Sequence, residues 1–193
     1  MQTNILPPQT TITAALPAGL NNIGDVDIAS IAAGETHIGA FGGNTVSVDV
    51  AVAMTTAGLY AAGDFVGTDG VAVIFPDCVR LNAGMGVIQS VALIDYAKQA
   101  ASLELWLFDT AVVPPADSAA WTVLDASVAR LIGIVPFTTW YSSALNSVAV
   151  APNVGIAFKT LAGSRRLYGC VVNRGAPTYA SGDLIVRLII LQD

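Results

Sequence analysis

The sequence is short of charge, and it has almost none of the side chains that metal and nucleophile chemistry require. Its 193 residues include 8 lysines and arginines, 14 aspartates and glutamates, one histidine and two cysteines. Charged residues make up 11% of the chain, against about 25% in an average soluble domain. A chain that is 54% hydrophobic is not intrinsically disordered, because disorder requires low hydrophobicity and high charge. So little charge predicts a surface that is shared with other subunits or covered by Thr, Ser, Asn and Gly.

Long apolar runs and basic clusters are also missing, which argues against membrane and nucleic-acid partners. Residues 131–158 carry no formal charge, but Pro136 and Pro152 interrupt them, so no transmembrane helix is predicted. No Lys or Arg precedes Arg80, so the N-terminus lacks the basic start of a secretory signal. The net charge of −6 and the single adjacent basic pair, Arg165-Arg166, predict no nucleic-acid partner. We therefore expect a soluble protein that is made in the cytoplasm and has no membrane partner.

The first 45 residues differ from the rest in composition and contain an internal repeat. No charged side chain precedes Asp25, and residues 16–24 align with residues 31–39 at a period of 15. A unit this small cannot bury its own apolar face, so it must lie on another surface. We interpret residues 1–45 as an extended, Gly/Pro-rich arm. The side chains predicted to make its contacts are Leu16, Pro17, Ile23, Val26, Ile28, Ile31, Ile38 and Phe41.

From Val46 onward the sequence has the pattern of β-strands. Residues 46–52 alternate polar and apolar side chains, and residues 102–108 place three leucines on one face. Further strands, separated by turns rich in Gly and Pro, are predicted at 71–75, 87–94, 132–137, 154–158, 167–173 and 184–191. About eight such strands predict an all-β fold, an antiparallel β-sandwich of jelly-roll type over residues 46–193. The one predicted helix covers residues 118–131, with Asp117 as its N-cap.

No arrangement in the sequence is specific to catalysis or metal binding. The only histidine, His37, lies in the arm repeat, at the position that Asn22 occupies in the other unit. A catalytic base needs a rigid position within hydrogen-bond reach of its partner, which an extended arm does not provide. Zinc sites need Cys/His clusters, and we interpret Cys78 and Cys170 as two buried, reduced thiols. The sequence therefore predicts a protein that is not an enzyme and that has no cofactor or metal.

Pairs of carboxylates and of aromatic residues leave other functions open. A small β-sandwich glycosidase needs two opposed carboxylates, and Glu104 with Asp109 or Asp95 could supply them. Trp140 and Tyr141 follow a predicted strand and precede two serines, as expected of a loop at the rim of the fold. We predict a surface contact at this pair, either to another subunit or to a sugar or receptor.

Two short segments resemble each other. Tyr60 opens the segment YAAGDFV, and Tyr179 opens the segment YASGDLI. In each, a Gly-Asp turn precedes an apolar strand. We interpret the segments as paired starts of neighbouring strands, and the alternative is that Asp64 and Asp183 bind a ligand or metal.

Several of these motifs together resemble those of small structural proteins of tailed-bacteriophage virions. They are LPAGLNNIGDV at 16–26, YAAGD at 60–64 followed, after a strand, by residues 84–91, RGAPTY at 174–179 and LIILQD at 188–193. The resemblance implies a virion component and supplies no catalytic site. From it and the composition we expect a decoration or cement protein on the capsid exterior. Its expected partners are the major capsid protein and further copies of itself, most simply in a homotrimer. The alternatives are a tail-associated baseplate or receptor-binding subunit with a carbohydrate contact and, third, the glycosidase.

Overall fold

The computed structural model describes residues 44–193, and these form two large antiparallel sheets that pack face to face and a third sheet of two short strands. The strands are β1 (Asn44–Ala51), β2 (Gly58–Leu59), β3 (Phe65–Val66), β4 (Val73–Phe75), β5 (Met85–Asp95), β6 (Leu103–Phe108), β7 (Leu131–Phe137), β8 (Tyr141–Ser142), β9 (Ser147–Ala151), β10 (Ile156–Lys159), β11 (Leu167–Asn173), β12 (Thr178–Tyr179) and β13 (Leu184–Gln192). One short helix, α1 (Asp125–Val128), lies between β6 and β7. Among the described residues, no helix has the length and apolar character needed to cross a membrane.

The strand order is that of a jelly roll. Sheet I has the order β1-β13-β5-β9-β8, and β10 pairs with β5 on the side where β9 also pairs. Sheet II has the order β3-β11-β6-β7, with β4 also paired to β11. The pairing is nested along the chain, because β1 pairs with β13, β3 and β4 with β11, β5 with β9 and β10, and β6 with β7. A long antiparallel ribbon that is folded over into two sheets produces this order, so the predicted all-β sandwich is confirmed.

Period-two alternation places the core between the sheets. In β13, Leu184, Val186, Leu188 and Ile190 are fully buried, and the residues between them are partly exposed. The three leucines of β6 that share a face are likewise buried in the same core cluster. The strands form here because their alternating apolar side chains fill the space between two sheets that neither sheet could cover alone.

The segment between β6 and β7 adds a second apolar layer on the outer face of sheet II. The Trp121 ring stacks on Phe65 with ring centroids 6.0 Å apart and meets the edge of Trp106 at 5.6 Å. The backbone N–H of Trp121 donates to the carbonyl of Gly63 at 2.8 Å. Buried residues of this layer include Phe108 and Cys170. This layer therefore covers part of the outer face of sheet II, although Ile74 and Ile134 remain exposed.

The predicted helix over 118–131 is wrong in extent and in its cap. Only Asp125–Val128 is helical, and no side-chain hydrogen bond caps it. Ser118 has a φ of 61°, which a helix does not allow. The Asp117 carboxylate instead accepts hydrogen bonds from two backbone N–H groups and a tyrosine hydroxyl elsewhere in the fold. Tertiary hydrogen bonding thus overrides the local helix signal.

Candidate interaction surfaces

The two YAxGD segments form the same turn in space. In the first, the Asp64 carboxylate accepts the N–H of Ala61 at 2.7 Å, and in the second Asp183 accepts the N–H of Ala180 at 2.6 Å. The preceding glycines have φ of +100° and +88°, a conformation that favours glycine. Each carboxylate therefore holds its own turn, which supports a structural role for both aspartates.

These turns lie side by side but lead into opposite sheets. Strand β2 pairs with β12 next to them, and the rings of Tyr60 and Tyr179 are 6.2 Å apart. Asp64 immediately precedes β3 of sheet II, whereas Asp183 immediately precedes β13 of sheet I. The turns are paired as the sequence suggests, and the strands they start lie in different sheets and are not direct neighbours.

Each of the two tyrosines reaches a buried carboxylate. The Tyr60 hydroxyl donates to Asp117 Oδ1 at 2.9 Å, and the Tyr179 hydroxyl lies 3.5 Å from Asp95 Oδ2. Burial, helped by these carboxylates, raises the pKa of both tyrosines far above the ordinary value. Burial also raises the pKa of Asp95, although the N–H of Ala100 donates to its Oδ2 at 2.7 Å. This polar cluster fixes the loops around it.

The carboxylates that a glycosidase would use are engaged elsewhere. Glu104 binds Arg174 at 2.8 Å, and hydrogen bonding to this guanidinium holds the pKa of Glu104 below its usual range. Asp109 pairs with Arg130 at 2.7 Å. Asp95 is fully buried at the end of β5 in sheet I, whereas Glu104 lies in sheet II. The glycosidase alternative stays a prediction, with Glu104 and Asp109 in ion pairs and Asp95 buried.

Four loops meet at one end of the sandwich, which we call the apex: residues 52–64, 96–102, 138–146 and 174–183. They are joined by hydrogen bonds, such as the Tyr96 N–H to the Asp183 carbonyl at 2.8 Å and the Thr178 N–H to Gln99 Oε1 at 3.2 Å. Large apolar side chains nevertheless project into solvent from this end. They are Leu59, Tyr96, Tyr141 and Leu145.

The predicted contact pair at 140–141 lies at the apex, and its two members differ. The indole N–H of Trp140 donates to the carbonyl of Ala101 at 2.8 Å, and its ring packs against the core. Tyr141 begins β8 at the edge of sheet I and is 70% exposed. Only Tyr141 therefore offers an aromatic face to a partner.

The outer face of sheet I is mostly apolar on β5, β9 and β13, whereas β1 presents Thr45, Ser47 and Asp49 there. No layer of described residues covers it as the β6–β7 segment covers part of sheet II. We call it the open face. The strand register aligns one unbroken row of side chains across the open face. In a second row, the half-buried Ile189 lies between Ser47 and Ser90. The members of the first row are Ala51, Ile185, Ile94, Val148 and Tyr141.

One ion pair marks the middle of the open face. The Nε and Nη2 atoms of Arg187 donate to the two oxygens of the Asp49 carboxylate, at 2.8 and 2.6 Å. This hydrogen bonding lowers the pKa of Asp49. The sequence of β13 is LIVRLIILQ, which is apolar from Leu184 to Leu191 apart from Arg187. Such a nearly continuous apolar run is typical of strands that are covered on both faces. An apolar run on both faces of β13 is the sequence signal that indicates an apolar outer face. The predicted strand at 184–191 gave the position of β13 but not the character of this face.

The opposite end of the sandwich, the basal end, carries four of the eight lysines and arginines of the chain. The loops 76–84 and 160–166 meet there through hydrogen bonds from the Cys78 N–H to the Arg165 carbonyl (2.8 Å) and from the Ala83 N–H to the Ser164 carbonyl (3.1 Å). A cleft of about 570 Å³ opens between them. Its lining includes Arg165 and Arg166.

Two other predictions concern the arm and the two cysteines. The arm residues Leu16, Pro17, Ile23, Val26, Ile28, Ile31, Ile38 and Phe41, together with His37, lie outside the described residues. Cys78 and Cys170 are both buried and unbonded to each other, and burial raises the pKa of each thiol to about 12. Within residues 44–193, no cluster of three His, Cys, Asp or Glu side chains is placed to hold a metal ion.

In comparisons with known proteins, no family model matches the chain and no curated protein is similar to it in sequence.

Proposed function

We propose that this protein is a structural component of a bacteriophage virion that binds the capsid exterior as a decoration protein. The open face of sheet I is the observation that carries the proposal. The phage-like motifs of the sequence and the jelly-roll topology, which recurs in viral capsid and lectin domains, support it. Because one fold hosts many functions, the surface and not the topology decides the argument.

The open face has the size and chemistry of part of a protein interface. Four strands about 4.8 Å apart and eight residues at about 3.4 Å each give roughly 500 Å². A standard interface covers about 800 Å² on each partner. The exposed Tyr141 and Tyr96 extend the face toward the apex, and the arm supplies further contact. A partner that covers this surface removes from water the apolar side chains that β13 and β5 present outward.

Repetition makes such a modest contact sufficient on a capsid. Each copy contributes one open face and one arm, and an oligomer of this chain engages several lattice sites at once, so its avidity exceeds the affinity of any single contact. For the arm we propose strand addition through its backbone N–H and C=O groups, which suits a sequence with few charges. The head lattice is the proposed partner of the open face, and the head lattice together with neighbouring copies of the chain is the proposed partner of the arm.

A binding experiment with purified heads tests the open face. Ile189→Asp places a charge in the middle of the face, beside Ser47 and Ser90, where the fold can hydrate it. We expect the amount that cosediments with heads at limiting concentration to fall by at least about tenfold, because burying a charge costs several kcal/mol and about 1.4 kcal/mol already changes affinity tenfold. Val113→Asp, at an exposed loop position away from sheet I, is the matched control and should bind normally. Equal binding by Ile189→Asp and the wild type contradicts the proposed contact.

A tail-associated role is the second candidate, and the exposed Tyr141 favours it. An aromatic ring at a rigid loop apex can stack on a sugar of a host receptor. Tyr141→Ala should then abolish adsorption of the phage to its host while leaving head stability unchanged. In the decoration account, Tyr141→Ala leaves adsorption unchanged.

A further inference from the structure

The basal end carries a concentration of positive charge that the rest of the fold does not share. The loops 76–84 and 160–166, with Lys159 beside them, contain four cations against one carboxylate, Asp77. The remaining described residues hold four cations against ten carboxylates. One of those ten, Asp193, also lies near this end, because its N–H donates to the carbonyl of Met85 at 3.2 Å.

Most of these cations have no partner within the fold. Arg165 pairs with Asp77 at 2.6 Å. Among residues 44–193, the four ion pairs leave Arg80, Lys159 and Arg166 without a carboxylate. Arg166 lines the cleft, and Arg80 and Lys159 lie in or beside the loops that form it. These three exposed cations repel one another, and an acidic partner would stabilise them.

Exposed apolar side chains lie among these cations. Leu81 is 76% exposed in the same loop as Arg80, and Leu161 is exposed two residues after Lys159. Met85, also exposed, pairs with Lys159 in the β5–β10 ladder. A segment that fits this surface must therefore offer acidic and apolar side chains together.

The chain itself contains one such segment. Asp25, Asp27 and Glu35 are the only charged residues before β1, and Val26 and Ile28 alternate with the two aspartates. The 43 residues that precede Asn44 lead into β1, whose first residue pairs with Gln192 at the basal end. We infer that residues 25–35 of one copy of this chain bind the basal cleft of a second copy. This contact links copies of the chain to one another, and it does not depend on the proposed virion role.

A contact of this kind joins two different surfaces and is therefore heterologous. Such contacts form closed rings when the rotation between subunits closes, and a three-membered ring is the simplest that matches the expected trimer. The charges also make the association sensitive to salt, because exposed ion pairs weaken as the Debye length shortens.

Charge reversal in full-length protein tests the inference. The first variant combines Arg80→Glu and Arg166→Glu, neither of which has an ion-pair partner among the described residues. The second combines Asp25→Lys and Asp27→Lys. Analytical ultracentrifugation should show that the wild type self-associates and that each variant alone does so about tenfold more weakly. Lys98→Glu, at the apex, is the control and should associate as the wild type does.

Mixing the two variants provides the decisive arm of the experiment. The acidic arm of the first variant then meets the basic cleft of the second, and the basic arm of the second meets the acidic cleft of the first. We expect association to return in part in the mixture, because two of the three contacts in a mixed three-membered ring are complementary, and this return requires contact between copies. If the wild type is monomeric, if either variant associates as strongly as the wild type, or if the mixture stays dissociated, the inference is wrong. The milder pair Arg80→Gln and Arg166→Gln should weaken association less, and circular dichroism verifies that every variant keeps its strand content.

Discussion

Removing the Asp117 carboxylate should be the most destabilising single change near the apex. The side chain is buried and accepts three hydrogen bonds, from the N–H of Thr56 (2.8 Å), the N–H of Gly67 (3.1 Å) and the hydroxyl of Tyr60 (2.9 Å). These bonds tie the segment between β6 and β7 to the loop that follows β1. Asp117→Ala leaves all three donors without their acceptor.

The structure sets the expected magnitude. A buried donor that loses its partner costs about 1–3 kcal/mol. The Tyr60 hydroxyl has the carbonyl of Thr56 at 3.3 Å as a second acceptor, so the two backbone N–H groups account for most of the loss. We expect Asp117→Ala to lower the free energy of unfolding by about 3–4 kcal/mol. Tyr60→Phe should cost only about 1 kcal/mol, because it removes a donor and strands no backbone group.

Urea denaturation, followed by tryptophan fluorescence at fixed protein concentration, measures these differences. Asp125→Asn replaces an exposed carboxylate in α1 and should change stability by less than about 0.5 kcal/mol. A loss below about 1 kcal/mol for Asp117→Ala, or a larger loss for Tyr60→Phe than for Asp117→Ala, would refute the reasoning.

Two further predictions concern the core and a buried acid. Gly169→Ala should destabilise the fold by about 1–3 kcal/mol in a thermal melt, because its new Cβ would lie 2.7 Å from the Phe75 ring and 3.0 Å from Leu105; an unchanged melting temperature contradicts this packing. Burial raises the pKa of Asp95, so the folded state favours the protonated carboxyl group. The contribution of Asp95 to stability is therefore complete below the ordinary pKa of 3.8 and is lost as the pH rises through the folded pKa. Asp95→Asn should therefore abolish this loss, and identical pH dependence of wild type and variant in urea titrations above pH 3.8 would show that Asp95 does not titrate as inferred.

Much of the fold could be predicted from the sequence because its signals are local. Residues 167–173 form β11 with the predicted bounds, since a strand between two covered faces needs only apolar side chains bounded by turns. Strand β9 was missed because its short run SVAVA offers little apolar bulk. Positive φ at Asn153 and Gly155 separates it from β10, which was predicted.

The surfaces were less predictable because they depend on which strands become neighbours. The row that joins Ala51, Ile185 and Ile94 exists only through the register of three strands that are distant in sequence. The burial of Asp95 depends on the apex loops that pack around it. From the sequence alone, an aspartate at the end of a strand predicts a solvent-exposed turn. The cations of the basal end are likewise scattered along the sequence from Arg80 to Arg166, and only the meeting of two loops brings them together.

Labelling of intact virions tests the central proposal most directly. Gold-conjugated antibody against this protein, applied to phage particles purified from lysates that contain the protein and viewed by electron microscopy, reports where the chain resides. The decoration account predicts label distributed over the whole head, in many copies per particle. Label confined to the tail tip, or particles that carry none of the protein, would contradict it.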